Sequence, residues 1–161
     1  MNEKKAVAIM AALFGLATIS NSRRRSCAAA VVRLVEGVPV MIATGVNGTA
    51  PGTENACEPE DLTSTYPHVI HAEDNCLRRY TALGNIRPDL DMLFVTDSPC
   101  AACFDKIIAS NIRQVYYARS YRIQDHLPLA ERHGLVFVEV DLQQVRMNLI
   151  EAHQRIDKVI C

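Results

Sequence analysis

Asp91-Met92-Leu93-Phe94-Val95-Thr96-Asp97-Ser98-Pro99-Cys100-Ala101-Ala102-Cys103 sets the architecture of the chain. Met92 to Thr96 is a short apolar run between two aspartates, which marks a buried central strand. Ser98 then offers an N-cap, and Pro99 falls at the first helical position, where its missing N–H costs nothing. Strand therefore passes almost directly into helix. Cys100 and Cys103, three residues apart, project to one side of that helix's first turn, where the positive helix end favours thiolates. The alternation continues downstream with a strand at Val115 to Ala118, a helix at Gln124 to Arg132, a strand at Leu135 to Val140, and a last helix from Leu142 to Ile160 capped by Asp141. Such alternation calls for parallel pairing through right-handed crossovers.

Upstream, a helix is expected from Glu3 to Ser20, apolar around most of its circumference and stopped by Ser20, Asn21 and Ser22. Two β-branched runs, Ala29 to Val35 and Val38 to Thr44, flank Glu36-Gly37 with hairpin spacing. Pro39 marks an edge or a strand end. Gly45-Val46-Asn47-Gly48 through Glu60 has loop composition. Ala72 to Leu83, with Gly84 as its stop, forms a helix whose first turn carries His71 and Glu73. No repeat, low-complexity tract or linker interrupts residues 1–161, so one α/β domain is expected.

Net charge is −1 and Trp is absent, which weighs against a nucleic-acid partner held by a basic groove and stacking rings. Ala6 to Ile19 follows Lys4-Lys5 as a signal peptide would, but no small-x-small cleavage site precedes Arg23. The run also falls short of the roughly 20 residues that span a bilayer. A buried helix in a cytoplasmic protein without a membrane partner is the expectation. Arg23-Arg24-Arg25, the one dense basic run, is either a solvated helix end or a phosphate contact.

Six cysteines could make three disulfides in a secreted protein, but C-x-x-C with an upstream histidine favours a metal. One imidazole, His71, and two thiolates, Cys100 and Cys103, suit Zn²⁺, and three protein ligands leave the fourth tetrahedral position to water. Glu73 is not needed as a ligand and is free for general acid and base work. A lone C-x-x-C also fits a redox pair or half a zinc knuckle, and a lone H-x-E is common by chance. In this order, with proline before the first cysteine, they are specific. A structural zinc lacks a fourth ligand here and leaves Glu73 unexplained. His68 is expected in a loop, and His126, His133 and His153 on the surface.

His71-Ala72-Glu73-Asp74-Asn75, Ser98-Pro99-Cys100-Ala101-Ala102-Cys103, the Gly45-Val46-Asn47-Gly48 loop with Pro51-Gly52 and Cys57, and the helix ending at Ser26-Cys27 together resemble the zinc-dependent cytidine and deoxycytidylate deaminase family over nearly the full length. The resemblance implies a three-layer α/β/α sandwich with a mixed five-stranded sheet. It also implies Zn²⁺-dependent hydrolysis of dCMP to dUMP with release of ammonia, and a homo-oligomer, dimer or hexamer. By the same resemblance Asn47 contacts the sugar or base, with Ala72, Ser98 and Tyr121 beside the substrate. Arg23, Arg24, Arg25 and Arg122 are the phosphate candidates, and Cys27, Cys57 and His68 the candidates for a second zinc. The sequence departs from the family in placing Ala28-Ala29-Ala30-Val31 after Cys27 and its arginines before it. Rival readings are a deaminase of another cytosine nucleotide or nucleoside, including 5-substituted dCMP, a nucleic-acid editor, or a non-catalytic zinc-stabilised regulatory domain. The last has no use for Glu73.

Overall fold

The computed structural model describes residues 1–122 and 125–160. Helix α1, Glu3–Ala17, is capped by Asn2, whose Oδ1 accepts the Lys5 amide at 3.0 Å. It stops short of the expected Ser20: the Thr18, Ile19 and Ser20 amides bond carbonyls three residues back, and the Ser20 hydroxyl donates to the Asn47 backbone carbonyl at 2.7 Å. Strands β1, Ala28–Val35, and β2, Val38–Val46, form the expected antiparallel hairpin. Glu36 and Gly37 both take positive φ, 51° and 78°, which matches a tight turn to the right-handed strand twist. Helix α2 is Ala72–Ala82, β3 Asp91–Asp97, α3 Ala101–Ser110, β4 Gln114–Arg119, β5 Val136–Glu139 and α4 Leu142–Ile160.

The five strands make one mixed sheet in the order β2-β1-β3-β4-β5. β1 runs antiparallel to β3, while β3, β4 and β5 are mutually parallel. β2 is an edge, which accommodates Pro39 near its start. All seven residues of β3 are buried, and its side chains alternate between two cores. Met92 and Phe94 join Met10 and Leu13 of α1 and Val145 of α4, whereas Leu93 and Val95 join Cys76 and Tyr80 of α2 and Phe104 and Ile107 of α3. The result is the expected α/β/α sandwich. No helix among the described residues is long and apolar enough to cross a membrane.

Two local expectations are corrected. The helix expected over 124–132 is instead a pair of 3-10 turns, Leu127–Leu129 and Glu131–His133, with Gln124 outside the described residues. Pro128 removes an interior donor, and Gly134 (φ 65°) closes the segment. Ser98 does not cap α3. Its Oγ accepts the Tyr121 amide at 2.7 Å, and the cap falls to Cys100, with Pro99 one residue ahead of it.

Candidate active site

His71 and Cys100 are the N-caps of α2 and α3, and neither side chain hydrogen-bonds the amides that a capping residue normally satisfies. Both helix starts therefore present uncommitted side chains to each other. His71 Nδ1 lies 3.5 Å from Cys100 Sγ and 3.3 Å from Cys103 Sγ, and the three donor atoms are all within 4.8 Å of one another. Asp74 ties the two helices together, accepting from Arg78 of its own helix at 2.9 Å and from Lys106 of α3 at 2.6 Å. Gly45 lets β2 touch α2: a Cβ there would lie 2.4 Å from the Cys76 nitrogen and 2.5 Å from the Ala72 oxygen. Asn75 Nδ2 donates to the Val46 carbonyl at 2.8 Å, holding the loop after β2 against α2.

The donor set fits zinc. Ligands at Zn–N and Zn–S bond lengths around a tetrahedral centre are separated by roughly 3.5 Å, close to the spacing found here. Without a cation the thiols share one proton. Hydrogen bonds from Cys103 and His71 hold the Cys100 thiol down at about 3, while its bond to Cys100 and burial push Cys103 well above the ordinary range. A divalent cation would stabilise both as thiolates. Glu73, buried beside them, is pushed up to about 7 by burial, so at neutral pH it is poised between its two protonation states.

A cavity of about 560 Å³ opens from this point, with His71, Glu73 and Cys100 at one end and Arg24, Arg25, Arg122 and Thr63 to Thr65 in its walls and mouth. Asn47, Ala72, Ser98 and Tyr121 line it too. Asn47 is largely committed within the protein: Oδ1 accepts from Ser20 Oγ and from the Cys27 amide, each at 2.8 Å, and Nδ2 donates to the Arg25 carbonyl at 2.8 Å. One amide hydrogen remains. The Arg122 guanidinium sits 6.0 Å from the Tyr121 ring centre.

The basic triplet divides three ways. Arg25 is turned onto Asp97, Arg24 reaches Thr65 Oγ1 at 3.4 Å, and Arg23 bonds the Pro59 carbonyl at 3.2 Å outside the cavity lining. The triplet is a bend after α1, not a helix end. Cys27, Cys57 and His68 are not gathered into a ligand group. The Cys27 thiol donates to Asp97 at 3.3 Å, Cys57 is buried, and His68 stacks on Tyr66. Among the described residues the group with metal-ligand spacing is His71, Cys100 and Cys103, and the five cysteines there are free thiols, Cys161 lying outside the description.

Two residues have no place in the sequence expectations, and a third lies elsewhere than expected. Asp97 ends β3 inside the cavity, accepting from Arg119 Nη2 at 2.6 Å and Thr96 Oγ1 at 2.9 Å, besides Arg25 and Cys27. Its signal was an acid at the carboxyl end of a buried strand. Glu58 accepts from the Ser22 hydroxyl and from the Arg23 amide at 3.1 Å and the Arg24 amide at 3.4 Å. Burial raises its pKa, but these donors together outweigh that and hold it below the ordinary value. His126 is buried, not on the surface as expected.

Fold and site define a class: a three-layer α/β/α protein with an H-x-E…P-C-x-x-C donor group where two helices begin. The chain belongs to the cytidine and deoxycytidylate deaminase zinc-binding family, whose model matches residues 3–119. It is 32% identical over 138 residues to ComE operon protein 2 of Bacillus subtilis (strain 168), covering 83% of this chain and 70% of that protein. The dCMP deaminase of cyanophage S-TIM5, solved in complex with dCMP and dUMP, superposes with a TM-score of 0.76 at 34% identity, over 86% of this chain and 98% of that one. A Thermotoga maritima diaminohydroxyphosphoribosylaminopyrimidine deaminase/reductase shares the fold, with a TM-score of 0.65 at 21% identity over 91% of this chain and 39% of that one.

Proposed function

We propose that the chain hydrolyses dCMP to dUMP and ammonia in the cytoplasm, residues 1–161 acting as one domain. The observation that carries this reading is a cavity lined by His71, Cys100 and buried Glu73, with Cys103 beside them, that also opens onto arginines and hydroxyls. Its volume, about 560 Å³, suits a mononucleotide. The solved relative in complex with dCMP and dUMP supports the same substrate. Zn²⁺ held by His71 Nδ1 and the two thiolates would supply an acidified water. Glu73 moves the protons: it accepts one, delivers it to the ring nitrogen beside the amine-bearing carbon, and serves the departing amine. The remaining Asn47 amide hydrogen, with Ala72, Ser98 and Tyr121, orients sugar and base. Arg24 and Arg122 meet the phosphate, since Arg25 is turned onto Asp97 and Arg23 lies outside the cavity lining. Exposed Val35, Val38, Val40 and Met41 at the hairpin support assembly into a homo-oligomer, which light scattering checks.

The test is ammonia release by the zinc-loaded chain from dCMP, CMP, deoxycytidine, dCTP, 5-methyl-dCMP and an oligonucleotide. Preference for dCMP is expected. Turnover of the 5-methyl compound alone would move the substrate within the class, turnover of the oligonucleotide alone would overturn the class, and none despite bound zinc would leave a binding domain.

A further inference from the structure

Between β4 and β5 the chain crosses the start of α3, and one side chain there has no part in the cavity. His126 is buried, its Nε2 lies 2.8 Å from the carbonyl oxygen of Pro99, and its ring centre is 5.1 Å from that of Phe104 on α3. A carbonyl only accepts, so the neutral ring carries its proton on Nε2. Pro99 is itself buried, and a buried carbonyl without a donor is costly.

The peptide that His126 holds is the one leading into Cys100. Of the two thiolate donors Cys100 has the less support. Cys103 lies buried within the first turn of α3, whereas Cys100 is the half-exposed cap (φ −75°, ψ 169°) with no side-chain cap bond. The proline ring fixes φ of Pro99, so ψ is the one Pro99 torsion left to place the Cys100 backbone, from which its χ1 carries Sγ. That ψ is the torsion that swings the Pro99 carbonyl.

We propose that His126 is a positioning residue for the metal donor Cys100: by donating Nε2–H to the Pro99 carbonyl it fixes the Pro99–Cys100 peptide plane and aims Cys100 Sγ at the point shared with His71 Nδ1 and Cys103 Sγ. The inference rests on the zinc reading above. The ring contact with Phe104 seats the imidazole, and the hydrogen bond transmits that seat to the ligand.

His126→Phe keeps a ring against Phe104 and removes the donor; His126→Gln keeps a donor at similar reach. Zinc affinity is read by chelator competition, ligand geometry by the electronic spectrum of the Co²⁺ form, and folding by thermal melting of the metal-free chain. The phenylalanine variant is expected to bind zinc about 10- to 100-fold more weakly, with an altered cobalt–thiolate spectrum and a metal-free melt near wild type. The glutamine variant should recover affinity and spectrum. If His126→Phe does not fold, His126→Asn, whose shorter amide falls away from Pro99, takes its place. Wild-type affinity and spectrum in the donor-less variant overturn the role of His126, as does a glutamine variant equally impaired. A wild-type chain that binds no zinc overturns the zinc reading and this inference with it.

Discussion

The two ends of the cavity are built by different physics. At the metal end, His71, Glu73, Cys100 and Cys103 stand at two helix starts, and the caps hold no amide, so their side chains are free for chemistry. At the mouth and in the loop behind it, segments distant in sequence are knitted by side chains whose polar atoms are mostly used on one another: Asn47 on Ser20, Cys27 and Arg25, Asp97 on Arg25 and Arg119, and, behind the lining, Glu58 on Ser22 to Arg24. The contrast implies a division of mutational effects. Substitutions at the metal end cut rate and spare the fold; those at the mouth loosen the fold first.

The largest expected effect is at the metal end. Glu73→Gln should lower turnover by about 10²- to 10⁴-fold while zinc content and melting temperature stay near wild type. Retained turnover would remove Glu73 from the proton path, and a collapsed melt would erase the contrast between the two ends.

Gly45→Ala tests where the ends meet. The added Cβ would collide with backbone atoms of α2, at Cys76 and Ala72, which no rotamer change relieves. A loss of about 3 kcal/mol in urea unfolding is expected, with a fall in zinc affinity because α2 carries His71. Gly15→Ala is the control: nothing lies within 4 Å of the added Cβ in α1, and a gain of about 0.5–1 kcal/mol is expected there. Asp97→Asn, at the mouth, leaves Arg25 and Arg119 without their carboxylate. It should cost about 2 kcal/mol and leave zinc stoichiometry at one. Loss of zinc in that variant would join what the contrast separates.

That division also governs what the sequence discloses. The strand and helix order, the hairpin at Glu36-Gly37 and the four metal-end residues are local signals: alternation, a turn pair, spacing of three along a helix. The mouth depends on contacts between residues tens of positions apart, so Asp97 and Glu58 carry no local mark of their partners, and nothing near Arg25 in the sequence signals its pairing with Asp97. The cap of α3 moved from Ser98 to Cys100 for the same reason, since the competing acceptor need came from Tyr121, 23 residues on. Pro128 is the local signal that breaks the expected helix over 124–132, since it lacks the donor an interior turn needs.

The smallest effect sharpens the mouth's side of the comparison through pH. Glu58 has its carboxyl held below the ordinary value in the folded chain, so folding favours the ionised form. Such a group contributes stability that is full above its unfolded pKa, near 4.5, and is lost as pH falls through the lower folded value. Glu58→Gln keeps a carbonyl oxygen for one of the Ser22, Arg23 and Arg24 donors but no charge. The variant should be about 1 kcal/mol less stable than wild type at pH 7, and the gap should close as pH drops below about 4.5, as read from urea unfolding at each pH. A gap constant down to pH 3 would mean that the shape of the carboxyl, not its charge, holds the loop. In that case the loop behind the mouth is assembled by packing and geometry, and the Ser22 hydroxyl and the Arg23 and Arg24 amides need an acceptor there but not a charge.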